Sequence, residues 1–565
     1  MKILIVGGVA GGASAAARIR RLDEEAEIII FERGEHVSYS NCALPYYLGG
    51  VVANRESLVL MTPEAFKSRH DIEVRTRSEV TAIDREHKCV TVRTSDGKEY
   101  RESYDKLILA PGADPVLPRS IKGIDRRQVF TVRNVTDVGK IRDYMDAVGA
   151  KTAVVTGGGF IGIEVAENLH AAGLKVSIVE GLEQIMSPFD YDMVQYLHKE
   201  LLDNGVDLYL SAMVSEITET GVLFTKEGQE KEIPADLVVM CVGVSPASQL
   251  AQAAGLEVNQ RRFIRVNHNY QTSDPDIYAV GDAIESYNRL SRSYGNLALA
   301  GPAQRQARAA ADHICGAKHN NRGYIGSSCL KVFGLNAACT GLNEKTAQKL
   351  GIPCEIAYVL PSDKVSLMPG SSYMAFKLVF EVPTGRILGA QAIGKGDAVR
   401  RVDVIAAMIS MEGTLEDLKE LELCYAPVYG TAKDVTNMAA LVGLNVLYGD
   451  MPQVHVSQVR GLVESGAYII DVREPMEYAA GHLLGAVNIP LSQFRDRIEE
   501  VPKDRPVYLH CRSSQRSYYA LCELRGRGWR NMVNLSGSFL GICLYEYFND
   551  VTAGREPIVT AYNFS

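Results

Sequence analysis

Apolar runs of four or five residues recur along the chain, separated by stretches with helical spacing. Lys2–Val6 is a β-branched run, followed by glycines, an Ala-rich helical stretch (Ala13–Leu22) and a second apolar run, Ile28–Phe31, that ends on Glu32. Thr152–Thr156 opens the same pattern again. A glycine loop and a helix to about Ala172 follow, then Val176–Val179 ends on Glu180. Strands alternating with helices at this spacing predict parallel βαβ units, and two such units predict two doubly wound sheets. From Ser327 to Leu447, strand-like runs (Tyr373–Phe380, Ile387–Ile393) and a helical stretch (Ala398–Met411) read as an α+β module. Gly449-Asp450-Met451-Pro452 is a turn-rich break. Beyond it, Tyr468–Asp471, Val487-Asn488-Ile489, Val507–His510 and Met532–Leu535 predict a smaller α/β domain. The fold class is therefore α/β with one α+β module. The expected domains are 1–112 with 247–325, 113–246, 326–447 and 451–565.

Composition narrows the classes of function. Of the 565 residues, 46% are hydrophobic and 23% charged, so a chain of this length can bury several cores. The net charge of −8 argues against a nucleic-acid or polybasic membrane surface. No apolar run approaches the ~20 residues that span a bilayer. Met1-Lys-Ile-Leu-Ile-Val-Gly-Gly is expected to be a buried first strand rather than a leader. Eleven scattered cysteines do not form a disulfide framework. The expectation is a cytoplasmic protein in which a singled-out cysteine is chemical rather than structural. No metal site is expected.

The second glycine loop, Gly157-x-Gly159-x-x-Gly162, follows a strand and opens a helix. Its glycines permit the tight turn, approach of a pyrophosphate to the backbone, and close packing of helix on strand. Glu180, 18 residues after Gly162, sits where a carboxylate binds ribose hydroxyls and repels a 2′-phosphate, which favours NADH. The first loop, Gly7-Gly8-Val9-Ala10-Gly11-Gly12, has Val9 at the middle glycine position but keeps Gly7, Gly11 and Gly12, with Glu32 closing the unit. The run Thr272–Asp282 delivers Gly281-Asp282 at a strand end, where the carboxylate can reach a flavin's ribityl or phosphate region. Leu109-Ala110-Pro111-Gly112 and Cys241-Val242-Gly243 are further strand-end turns suited to crossovers between two Rossmann-like folds.

In this order the motifs resemble the pyridine nucleotide–disulfide oxidoreductases over Met1 to about Leu447. The resemblance implies FAD, NADH, and a homodimer whose site is completed by the partner chain. It adds Arg33, Ala110 and Ala300 to the FAD-binding candidates Gly7, Gly11, Gly12, Glu32 and Asp282. It adds Phe160, Ile161, Glu164 and Gly243 to the NADH-binding candidates, with Phe160 as an aromatic gate. Cys42 lies in Ser38-Tyr39-Ser40-Asn41-Cys42-Ala43-Leu44-Pro45 with no second cysteine within five residues. It is expected at a helix start, where a positively polarised N-terminus lowers the thiol pKa. This single redox cysteine is similar to that of the coenzyme A-disulfide reductase branch. NADH peroxidases and oxidases carry a His where this chain has Ala10.

In that branch coenzyme A is held by residues matching Ser14, Arg18, Arg21, Ser38, Asn41 and His70, with the two arginines three apart on one helix face. The partner subunit supplies a Tyr from Tyr-Ala-Pro-Pro and a Lys, matched here by Tyr425-Ala426-Pro427-Val428 and Lys433. A family segment with two adjacent tyrosines appears only as Lys364-Val365-Ser366-Leu367-Met368-Pro369-Gly370, which counts against efficient reduction of coenzyme A disulfide.

The C-terminal domain carries Asp471-Val472-Arg473-Glu474, Glu477-Tyr478-x-x-Gly481-His482 and His510-Cys511-Arg512-Ser513-Ser514-Gln515-Arg516-Ser517. A strand ending at Cys511 and a loop leading to Arg516 at a helix start make an anion-binding nest for a thiolate or persulfide, with Arg516 adding charge. Over Met451–Ser565 this resembles a rhodanese domain.

The combined expectation is an NADH-driven, FAD-dependent reductase of persulfides or polysulfides, such as coenzyme A persulfide. Cys42 turns over and Cys511 carries sulfane sulfur. Coenzyme A-disulfide reductase, a sulfurtransferase or sulfur carrier, and a flavin-based redox sensor remain as alternatives. Cys329, Cys339, Cys354, Cys424, Cys522 and Cys543 are expected to serve packing.

Overall fold

In the computed structural model, which describes residues 1–564, the run Lys2–Val6 is the centre of a five-stranded parallel sheet. Its strands lie in the order Ile277–Ala279, Lys106–Leu109, Lys2–Val6, Glu27–Phe31 and Glu73–Arg75. Ile3, Leu4, Ile5, Leu107, Ile108 and Ile277 are fully buried, as strands covered on both faces must be. The helix Ala10–Leu22 covers one face. A second parallel sheet has the order Asp207–Tyr209, Lys175–Val179, Thr152–Thr156, Leu237–Met240 and Val129–Phe130. Between the two folds the chain passes through Ala113–Pro115 and returns through Val244–Pro246, which pair antiparallel. Each sheet is accompanied by a three-stranded antiparallel meander, at 78–103 and 212–234.

These elements form one compact unit, Met1–Glu183 with Val206–Tyr324. The second unit joins Gln184–Gly205 to the chain from Ile325 onward. The helix Tyr191–Asp203 therefore packs with the α+β module, although it lies inside the segment 113–246 expected to form one domain. The cause is a buried charge cluster. Lys377, 1% exposed, bonds Asp192 (2.9 Å) and Glu344 (2.8 Å) and lies 3.1 Å from Asp190. A lysine this deep persists only with such partners.

The α+β module is an antiparallel sheet in the order Ser327–Val332, Leu335–Gly341, Ile387–Gly394, Met374–Glu381 and Cys354–Val359, with helices Ala398–Ser410 and Val435–Leu447 against it. The C-terminal sheet is parallel. Its order is Gln453–Val454, Met532–Leu535, Val507–His510, Ile469–Asp471 and Val487–Asn488. Its first strand, only two residues long, carries no sequence pattern that announces it. Gln453 donates to the Ile356 carbonyl at 2.8 Å, and His455 lies 3.2 Å from Glu344 and 3.4 Å from Glu355. The break at Gly449–Pro452 thus leads into a docked domain rather than a tether.

Candidate active site: two cysteines and two glycine loops

The two glycine loops are built alike. A Cβ on Gly7 would come within 2.1 Å of the Ala110 carbonyl oxygen, and one on Gly12 within 1.8 Å of the Gly7 oxygen. In the second loop the matching distances are 2.4 Å from Gly157 to the Cys241 oxygen and 2.0 Å from Gly162 to the Gly157 oxygen. Gly7 and Gly157 also adopt φ of 96° and 98°, a region that L side chains avoid. A Cβ at Gly159 would meet nothing within 4 Å, so that backbone is open for a ligand to approach. Each loop is closed by its acidic strand end. Glu32 accepts from Gly8 N (3.0 Å) and Gly34 N (2.8 Å), and Glu180 from Gly158 N (2.5 Å) and Leu182 N (2.8 Å).

The first loop opens into a cleft lined by Gly7, Gly11, Glu32, Arg33, Asn41, Ala110, Arg133 and Asp282 among others. Two buried polar atoms on its lining, Asn41 Oδ1 and Arg133 Nε, have no partner among the described residues. Such atoms await a polar ligand. The cleft therefore fits a dinucleotide with a polar chain between its ends. Burial pushes the Asp282 carboxyl up, and Arg133 opposes that shift. Arg33, exposed, pairs with Asp114 at 2.7 Å. Ala300 opens the helix Ala300–Ile314 and is exposed, whereas Ala303, one turn on, faces the cleft.

Cys42 is open to solvent in the 3-10 turn Asn41–Ala43, ahead of the short helix Leu44–Leu48. The surroundings shift its pKa upward, against the expected lowering. The sulfur is set deep enough that burial pushes the thiol up, and the Glu164 and Asp282 carboxylates add to it. A five-residue helix supplies too little dipole to outweigh two carboxylates. Glu164 is itself pushed up to about 7 by burial, with Glu167 adding and the Tyr46 hydroxyl, 3.4 Å away, opposing. Phe160 and Ile161 start the helix Phe160–Ala171 that carries Glu164, and Gly243 (φ 117°) lies in an exposed strand-end turn.

Among the residues matched to coenzyme A binding, Ser14 and Ser38 are half-buried, and Ser38 takes a left-handed φ of 47°. Arg18 is held by Asp312 at 2.6 Å, while Arg21 on the next turn is exposed. The two do not form an open pair of equivalent cations. Arg20 between them is buried. It donates to the carbonyls of His70 (2.9 Å), Asp71 (2.9 Å) and Ala26 (2.7 Å), and so fixes the backbone at His70. Tyr425 and Lys433 lie exposed in the loop before the helix Val435–Leu447.

Cys511 directly follows the strand Val507–His510 and is 1% exposed. Its N–H donates to Ser538 Oγ at 3.2 Å, and its carbonyl accepts from Phe539 N at 3.0 Å. Ser514 takes a φ of 72°, the left-handed residue that curls successive N–H groups inward. Arg516 begins the helix Gln515–Gly526, as expected, but both its terminal nitrogens bond Glu477 (2.6 and 2.7 Å). The charge expected from Arg516 is largely neutralised. Arg473 is likewise held by Asp471 and the Gly481 carbonyl, with its guanidinium 3.9 Å over Phe539.

Three family models match the chain. Pyridine nucleotide-disulphide oxidoreductase covers residues 1–307, the dimerisation domain of that family 327–434, and Rhodanese-like domain 455–544. The chain belongs to the pyridine nucleotide-disulphide oxidoreductase family. Like the family, it pairs an FAD fold with a nicotinamide-nucleotide fold. The reduced CoADR-RHD of Bacillus anthracis is 42% identical, with a TM-score of 0.93 over 97% of this chain and 98% of that one. A NAD-dependent persulfide reductase from A. fulgidus is 31% identical, with a TM-score of 0.89 over 95% and 99%. The coenzyme A disulfide reductase of Staphylococcus haemolyticus is 34% identical over 439 residues, 77% of this chain and 98% of that protein.

Family motifs did not point to Arg401, which is buried on the helix Ala398–Ser410. It donates to the carbonyls of Asp363 (3.1 Å) and Tyr429 (2.9 Å) and pairs with Asp434 (3.3 Å). One guanidinium thus ties the loop of Lys364–Gly370 to the loop of Tyr425 and Lys433. An arginine in an otherwise apolar helical repeat was the available clue. The cysteines expected to serve packing divide: Cys339 and Cys543 are buried, but Cys329 and Cys424 are exposed. No helix of the described residues is long and apolar enough to cross a membrane, and no metal-ligand cluster occurs among them.

Proposed function

We propose that this oxidoreductase uses NADH to reduce persulfides or polysulfides, such as coenzyme A persulfide, through Cys42. The observation that carries this reading is the solvent-open Cys42, next in the chain to Asn41 on the lining of the first glycine loop's cleft, together with an intact Cys511 loop. FAD, when bound, supplies the passage of two electrons from NADH to sulfur. Gly7, Gly11, Gly12, Glu32, Arg33, Ala110 and Ala300 would hold it, with Asp282 on its polar chain. Gly157, Gly159, Ile161, Gly162, Glu180 and Gly243 would hold NADH, with Phe160 as gate and Glu164 nearby. The domains are read as 1–112 with 247–325 for FAD, 113–246 for NADH, 326–447 for dimerisation and 451–565 for the rhodanese fold.

Cys42 acts as nucleophile. Its thiolate attacks the outer sulfur of R–S–S⁻, the S–S bond breaks, R–S⁻ leaves, and a persulfide remains on Cys42. Two electrons and a proton then release HS⁻ and restore the thiolate. Ser14, Arg21, Ser38, Asn41 and His70 are read as contacts for the coenzyme A moiety, with Arg18 held to Asp312 behind them. Tyr425 and Lys433 of a partner copy would steady the leaving sulfur in a homodimer. Cys511 would carry sulfane sulfur. All eleven cysteines are free, which fits a reducing cytoplasm.

The test is anaerobic NADH oxidation with coenzyme A persulfide, polysulfide and coenzyme A disulfide, and a separate assay with peroxide. A kcat/KM highest for the persulfide or polysulfide is expected; a highest value for peroxide would overturn the reading. Exposed Tyr425 and Lys433, and the Staphylococcus relative, favour coenzyme A disulfide as the second substrate.

A further inference from the structure

Tyr358 lies in the antiparallel-sheet module, on the strand Cys354–Val359, and is 4% exposed. Its cross-strand partner is Lys377, the residue that anchors Asp192 of the helix Tyr191–Asp203. Tyr196, one turn beyond Asp192, comes onto the same helix face, and its hydroxyl lies 2.8 Å from that of Tyr358. The ring so held presses on the rhodanese fold. A Cβ on Gly537 would come within 2.6 Å of it, and one on Gly541 within 3.2 Å. Gly537 and Ser538 follow each other with φ of 76° and 49°. That region is costly for a serine and persists only where the surroundings over-determine it. Ser538 is fully buried, and its Oγ accepts the Cys511 N–H at 3.2 Å and lies 3.0 Å from Ser514 Oγ. The helix Ser538–Ala553 has first-turn N–H groups without partners in the helix itself. Those of Phe539 and Leu540 donate to the carbonyls of Cys511 (3.0 Å) and Arg512 (3.1 Å).

We propose that Tyr358 is a positioning residue for the Cys511 loop, so that the sheet module completes the rhodanese site. Its ring backs the Gly537–Ser538 turn and keeps the Ser538 hydroxyl on the Cys511 N–H. The chain of contacts ends on the backbone of Cys511 itself. The geometry of that loop thus depends on the docked module and not on the rhodanese fold alone. Only the effect on turnover rests on the reading of Cys511 as a sulfur carrier.

The experiment uses the full-length holoenzyme as wild type, Tyr358→Leu, Tyr358→Phe, Ser538→Ala and the double variant Tyr358→Leu/Ser538→Ala. Amide hydrogen exchange is followed by mass spectrometry over residues 508–517, with 467–473 reporting the folding of the domain. Tyr358→Leu should speed exchange over 508–517 by about fivefold, the equivalent of one hydrogen bond, and leave 467–473 unchanged. Tyr358→Phe keeps the ring on Gly537 and should stay within about twofold of the wild type. Ser538→Ala should match Tyr358→Leu, and the double variant should add nothing, because residues that act through one another are not additive. In sulfur transfer from polysulfide to cyanide, kcat should fall by the same factor as exchange rises, with KM for polysulfide unchanged. Unchanged exchange over 508–517 in Tyr358→Leu, an equal rise over 467–473, an equal effect of Tyr358→Phe, or additivity in the double variant would overturn the proposal. Absence of sulfur transfer by the wild type would count against the sulfur-carrier reading alone, because the exchange rates still decide the role of Tyr358.

Discussion

Cys42 and Cys511 present opposite solutions to holding a reactive sulfur. Cys42 is open to solvent, on a short turn, with two carboxylates that disfavour its thiolate. Cys511 is enclosed, its backbone bonded on both sides, and the arginines near it, Arg473 and Arg516, are paired with Asp471 and Glu477. The first arrangement suits a sulfur that exchanges partners and is reset by electrons. The second suits a sulfur that stores an anionic cargo. A reactive cysteine is thus recognised by what its surroundings do to charge, not by exposure alone.

The largest effect expected is at Cys42. Cys42→Ser should lower NADH-driven sulfur reduction by at least about a hundredfold, as loss of a nucleophile does, while NADH still reduces the bound flavin in stopped-flow traces. Full turnover would remove Cys42 from the comparison. Cys511→Ser should abolish sulfurtransferase activity and suppress reduction of bulky persulfides relative to small ones. An unchanged ratio with undiminished sulfurtransferase activity would make the C-terminal domain a passenger.

Glu180 should give NADH at least about a tenfold advantage in kcat/KM over NADPH, on the scale of one unfavourable charge contact. Glu180→Ala should narrow it; equal values in the wild type would mean that the carboxylate does not reach the ribose.

Glu164 sharpens the contrast in the electrostatics. Its carboxyl, pushed up to about 7, is ionised above that pH and then opposes the Cys42 thiolate. Glu164→Gln should therefore speed iodoacetamide alkylation of Cys42 at pH 8 by about two- to threefold, and little at pH 6. An equal change at both pH values would contradict this.

The smallest effect concerns docking of the rhodanese domain. The hydrogen bonds that His455 donates to Glu344 and Glu355 push its pKa up to about 9. A raised histidine pKa adds stability that is fully present below about 6.5 and lost as pH rises through about 9. The wild type should lose Tm between pH 7 and pH 10 by roughly 2–4 °C per kcal/mol, and His455→Gln should flatten that slope in a thermal scan. An identical slope would exclude the contact.

The family resemblance, the order of elements and both cysteine motifs were legible in the sequence, because they depend on local requirements. A glycine is needed wherever φ near +97° or a 2 Å approach to a carbonyl occurs, as at Gly7 and Gly157. Parallel strands buried on both faces need runs such as Ile3-Leu4-Ile5. Charge balance was not legible, since it depends on partners far apart in the chain. Arg516 is neutralised by Glu477, 39 positions away. The Cys42 thiol answers to Glu164 and Asp282, and Lys377 draws Gln184–Gly205 into the second unit through Asp190 and Asp192. Local propensity wrote the strands, loops and glycines into the sequence. The tertiary structure decided which charges meet, because Coulomb and desolvation energies depend on distance and burial that only the folded chain sets.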